Sequence, residues 1–137
     1  MSRRVVVWLG VSLLGMGCQS VEKRGVEPLP THATTIPYAD LVEHARRQLW
    51  AAQEIFYRDH WDELTKAGET LQETAQHLLR VPAERVPPRC RDLWPKPAEE
   101  FRTAAEHLRN CARQQDAIQC AQAFQKLHLV LRQIRPD

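Results

Sequence analysis

"EEFRTAAEHLRNCARQQDAIQCAQAFQKL", residues 99–127, is the stretch whose reading decides the fold. Phe101, Ala104, Ala105, Leu108 and Ala112 recur at steps of three and four, the spacing that gathers apolar side chains on one face of an α-helix. "RQQD" then interrupts the period, and Asp116 stands where a helix N-cap belongs, its carboxylate placed to accept from a backbone N–H of the next turn. A second stripe follows through Ile118, Cys120, Ala121, Phe124, Leu127, Leu131 and Ile134. Two amphipathic helices joined by so short a turn must lie antiparallel, with their stripes against a common core.

Upstream, "VPAERVPPRCRDLWPKP" (81–97) carries five prolines between residues 82 and 97, a density that forbids a continuous helix because each proline lacks an N–H donor and constrains the residue before it. The segment reads as a long connection, with Leu93 and Trp94 packed onto the helices. Before it, "DHWDELTKAGETLQETAQHLL" (59–79) offers Asp59 as an N-cap and a stripe of Trp61, Leu64, Ala67, Leu71, Ala75 and Leu78. From Tyr38 onward, Leu41, Ala45, Leu49, Ala52 and Phe56 give a further helix. The expected fold is all-α: an antiparallel four-helix bundle over residues 38–137, with the long Pro-rich connection between helices two and three. About a hundred residues suffice to bury one core.

The N-terminus reads differently. In "MSRRVVVWLGVSLLGMGC" two arginines precede an apolar run from Val5 to Gly17, too short to span a bilayer comfortably, and small residues lead into Cys18. This resembles a bacterial lipoprotein signal. The resemblance implies removal of residues 1–17, lipidation of Cys18, and, with Gln19 rather than an aspartate next, placement at the outer membrane facing the periplasm. Residues 18–37 then read as a flexible tether from the lipidated cysteine, rich in proline and small polar residues and without apolar period.

The formal net charge is +2, and Arg3 and Arg4 supply that excess; the remainder is balanced. A neutral chain lacks the basic footprint that nucleic acid demands. No nucleophile elbow, glycine-rich phosphate loop, His-Glu-x-x-His or paired carboxylates of recognisable context occur, and the acids at 62–63 and 99–100 fall at helix starts, where the dipole favours them. The chain therefore reads as a non-enzyme.

Four cysteines occur, Cys18, Cys90, Cys111 and Cys120. Cys111 and Cys120 flank the turn at equal distances, so an antiparallel hairpin brings them level; in an oxidising compartment a Cys111–Cys120 disulfide is expected. The alternatives are two small buried hydrophobes, or a metal site with His107, which shares a helix face with Cys111 but brings no visible fourth ligand. Metal is not the expected reading, and the six histidines (32, 44, 60, 77, 107, 128) are otherwise scattered.

Four short helices, a tryptophan opening the second, a Pro-rich crossover, and Phe101, Ala104, Ala105, Leu108 and Phe124 in the last two resemble the cytochrome c′-type four-helix bundles, over residues 40–135. That family ends in Cys-x-x-Cys-His, which holds haem covalently. Here Leu131, Ile134 and Arg135 occupy those positions, so covalent haem is excluded and the chain reads as a degenerate member. A noncovalent haem between His44 and His128, as in b-type four-helix cytochromes, or a metal at His107, Cys111 and Cys120, is the alternative to the leading expectation: a non-catalytic, haem-less, lipid-anchored envelope bundle that acts as a binding or accessory module for an unknown envelope protein. His128 then reads as a packed structural histidine.

Overall fold

The computed structural model describes residues 25–30 and 35–136. The signal-like segment, the lipidation candidate Cys18 and the first part of the tether lie outside the described residues. The described chain is all-α. Its helices are α1 (Tyr38–Tyr57), α2 (Trp61–Leu79), the one-turn α3 (Pro88–Arg91), α4 (Lys96–Arg113) and α5 (Ala117–Gln133), with a 3₁₀ turn at Ala83–Arg85. α2 packs most extensively on α4, then α4 on α5 and α1 on α2; α1 meets α5 along a smaller seam than these three. No described helix is long and apolar enough to cross a membrane.

Each long helix buries one stripe. Leu41, Ala45, Leu49 and Ala52 on α1 meet Leu64, Leu71, Ala75 and Leu78 on α2 and Phe101, Ala105 and Leu108 on α4 within one core. On α5 the buried face is Cys120, Ala123, Phe124, Leu127, Val130 and Leu131, followed by Ile134. Ile118 and Ala121, expected in that stripe, are exposed; the core face is rotated toward Ala123 and Val130.

The two short turns end their helices in the same way. Asp59 and Gln115 take left-handed φ values of 57° and 54°. The next N–H, of His60 or Asp116, then reaches back to the carbonyl of Ile55 (3.3 Å) or Cys111 (3.0 Å). This 6→1 bond is the Schellman termination, here without glycine. It displaces the cap expected at Asp59: that residue closes α1, and α2 begins after His60 with no side-chain cap. Asp116 does cap α5, accepting from the Gln119 N–H at 3.1 Å.

Between α2 and α4 the chain is ordered by side chains that reach back to it. Arg91 donates to the carbonyls of Ala83 and Val86, each at 3.1 Å, and the Trp94 indole donates to Val81 at 3.0 Å. Trp94 also meets Tyr38 edge to face at 5.6 Å. Leu93, expected to pack beside it, is 62% exposed.

α2 and α4 approach so closely that a Cβ on Gly68 would stand 2.9 Å from the backbone N and Cα of Arg109. A second close arrangement is polar. Thr74 Oγ1 donates to Gln48 Oε1 at 2.7 Å inside the core, and Gln48 Nε2 donates to the Glu27 carbonyl at 3.0 Å. This corrects the tether at its described part. Val26, Leu29 and Ile36 pack against the core, and the buried amide of Gln48 finds its acceptor in that segment, so residues 25–30 lie on the helices.

Candidate functional site

Five large hydrophobic side chains among the described residues stand in solvent: Trp50, Tyr57, Leu93, Ile118 and Leu129. Three of them, Trp50, Tyr57 and Leu129, line the cleft between α1 and α5. Trp50 and Tyr57 are seven residues apart, nearly two turns, and so share a face of α1; on α5, Leu129 shares its face with Gln125 and Arg132. Along the smaller α1–α5 seam a cleft of about 840 Å³ opens between the two helices. α1 supplies Trp50, Gln53, Glu54 and Tyr57 to its walls; α5 supplies Gln125, His128, Leu129 and Arg132.

A chain of polar contacts runs across the cleft. His128 Nε2 and Gln53 Oε1 are 3.0 Å apart, so the imidazole donates from Nε2 to the amide oxygen; Gln53 Nε2 in turn donates to the Tyr57 hydroxyl at 2.9 Å. Trp50 meets the edge of His128 at 6.1 Å. Burial, and then the neighbouring Arg132 charge, hold the His128 pKa below its ordinary value, which keeps the ring neutral at neutral pH. Phe56 and Phe124 meet at a tilt of 42°, their centres 5.4 Å apart, and Phe124 belongs to the core. Trp50 and Tyr57 are 59% and 71% exposed, so they are presented outward and not packed.

His128 is thus half-buried on the flank of α5, and not in its core stripe. His44 is not brought to it. Gln53, the partner of His128, lies nine residues beyond His44, about 13 Å along the α1 axis. His44 contacts Arg47 and lines a different hollow, with Glu27 and Gln48. The two histidines of the alternative haem reading line separate cavities.

At the α4–α5 turn the structure brings Cys111 and Cys120 together, their sulfurs 2.8 Å apart, but as two free, buried thiols; the expected bond of about 2.05 Å is not present. Burial pushes the thiol pKa values up in both, so neither is a ready thiolate. His107 is exposed and tied to Gln119 at 3.1 Å. Among the described residues no group of three His, Cys, Asp or Glu side chains is placed to hold a metal.

Leu131 and Ile134 are buried, and Arg135 is exposed. Around them the end of α5 is pinned: the Tyr38 hydroxyl donates to the Ile134 carbonyl, and Cys90 Sγ to that of Gln133 at 3.2 Å. Tyr38 is held protonated, its pKa raised by burial and by Cys90. Cys90, whose role the sequence leaves open, is a buried packing group.

The sequence reading missed the cleft because its aromatic residues fall off the core stripe, where exposed hydrophobes are usually unremarkable. The signal was present as two matched half-faces, Trp50, Gln53 and Tyr57 on one helix and Gln125, His128, Leu129 and Arg132 on another. No protein-family model, curated protein or solved structure matches this chain.

Proposed function

We propose that this protein is a haem-less, lipid-anchored module of the bacterial cell envelope that works without catalysis, binding a protein partner through its α1–α5 face. The four long helices form an antiparallel four-helix bundle of the cytochrome c′-like type, with the Pro-rich stretch as the connection between its second and third members. The two three-residue turns at 58–60 and 114–116 and the contacts among the four long helices support that arrangement. Cys18 is the lipidated residue, and the outer membrane, on its periplasmic side, is the location. The buried aliphatics Leu131 and Ile134 support the haem-less reading, since neither offers the thiol that covalent haem needs.

One observation carries the binding role: three of the five large hydrophobes exposed among the described residues, Trp50, Tyr57 and Leu129, line one cleft, beside Arg132 and Glu54, opposite charges on opposite walls. Tryptophan, tyrosine and arginine are the side chains that dominate protein-binding hot spots, because each buries much area and carries a polar handle. The test is a photoactivatable amino acid placed at position 50 or 57 of the chain in intact envelopes. A discrete protein adduct from both positions, absent when the same group replaces exposed Glu73 on α2, is expected. Equal adducts from all three positions, or none from 50 and 57, would refute the reading.

A further inference from the structure

A second cavity, of about 700 Å³, opens where the start of α1 meets the end of α2 and the turn after it. Its volume lies within the range of small-molecule pockets. It is separate from the α1–α5 cleft, and its walls are of two kinds. Ile36, Leu41 and Val81 supply apolar surface; His77, Arg80 and Arg85 supply basic groups, and among the described residues no acid lines it.

The arginines of this region divide by what they do. Arg91 is spent on the connection's own carbonyls, and Arg89 donates to the Arg132 carbonyl at 3.2 Å. The side chains of Arg80 and Arg85 have no hydrogen-bond or ion-pair partner among the described residues. Both are exposed at the rim of a cavity whose floor, Leu41 and Val81, is buried apolar surface. A free inorganic anion would satisfy the guanidinium groups and leave that floor wet. A neutral apolar molecule would cover the floor and leave the charges idle.

We propose that this cavity binds an anionic amphiphile: its carboxylate or phosphate head is held by Arg80 and Arg85, and its tail lies over Ile36, Leu41 and Val81. Arginine suits the head because its planar donors match the oxygens of either acid in pairs. The shared chemistry has two sources, a free fatty acid or an anionic phospholipid. The site does not depend on the α1–α5 face or its partner.

The test uses the full chain in phosphatidylcholine vesicles with three probes, each carrying a diazirine on its tail: a fatty acid, a phosphatidylglycerol and a phosphatidylcholine. Mass spectrometry of the digested chain then locates the adducts. Adducts on 36–41 and 81–82 from an acidic probe are expected, with little from phosphatidylcholine, and the R80Q/R85Q pair lowers them about tenfold, the loss of a charged hydrogen bond. Trp50→Ala leaves them unchanged. Labelling by the fatty acid alone assigns the free acid, and labelling by phosphatidylglycerol alone assigns the lipid. Competing fatty acids lose about fourfold in affinity per methylene removed, about 0.8 kcal/mol. An unchanged melting temperature of the exposed double variant shows that it remains folded. Labelling that is equal with the neutral probe, unchanged by both glutamines, confined to other segments or absent would overturn the proposal, as would competition independent of tail length.

Discussion

Replacing Gly68 by alanine adds one methyl group where α2 and α4 are closest. The new Cβ would stand 2.9 Å from the N, Cα and Cβ of Arg109, whereas carbon atoms rest at about 3.5–4 Å. The obstacle is backbone, so no rotamer change relieves it. Arg109 is also held by its bond to Gln72 Oε1 at 2.9 Å, and the two helices must separate by several tenths of an ångström along the most extensive seam in the core. Overpacking of this kind costs about 1–3 kcal/mol. Alanine returns about 1 kcal/mol of helix propensity over glycine. The net expectation is a loss of up to about 2 kcal/mol, which lowers the melting temperature of a domain this size by up to about 15 °C. Thermal unfolding followed by far-ultraviolet circular dichroism reads it directly. The sign decides: a helix glycine in open space would gain stability as alanine, so a melting temperature raised by several degrees would refute the close approach of α2 to α4.

Other expectations concern polar and redox groups. Thr74→Val removes the donor to Gln48 Oε1 inside the core and should cost about 1–3 kcal/mol in urea unfolding, while the Gln48→Leu/Thr74→Val pair should cost less than the sum of its single changes. Equal, additive losses would contradict the coupled bond. The folded pKa of His128 lies below its value of 6.5 in the unfolded chain. The unfolded state therefore takes up the proton first, and stability should be full above about pH 6.5 and fall as pH drops below it. In His128→Gln that part of the pH profile should flatten; an unchanged profile would remove His128 as its source. Cys111 and Cys120 already touch, so in the periplasmic location proposed above a disulfide carrier should close them to a disulfide, the carrier taking both electrons and both protons. Closure should add about 3 kcal/mol by loop entropy. Mass spectrometry after thiol alkylation of the unreduced chain checks it: alkylation of both residues in protein from the envelope would defeat the expectation.

The helices were legible because their core positions obey one period. Leu41 through Ala52, Leu64 through Leu78 and Phe101 through Leu108 fall on buried faces as the spacing requires. The last helix was read a little rotated, since Ile118 and Ala121 satisfy the period as well as Ala123 and Val130 do; the distinction is tertiary. Asp59 has the chemistry of a cap but is used for its tolerance of left-handed backbone, which composition alone does not reveal. Residues 25–30 looked like tether because Val26 and Leu29 sit among polar and proline residues without a repeat. What holds them is the amide of Gln48, a polar side chain on a core face. The juxtaposition of Cys111 with Cys120 followed from symmetry about a short turn. By contrast, the separation of His44 from His128 depended on which turn of α1 faces α5, and no local pattern encodes that.

The most direct check of the proposed binding face and its proposed envelope partner is hydroxyl-radical footprinting of the chain in intact envelopes against the purified protein. Trp50, Tyr57 and Leu129 should lose several-fold in labelling in the envelope, while Leu93, equally open but remote from the α1–α5 face, keeps its own. Equal labelling of all four residues in both settings would contradict a partner on that face.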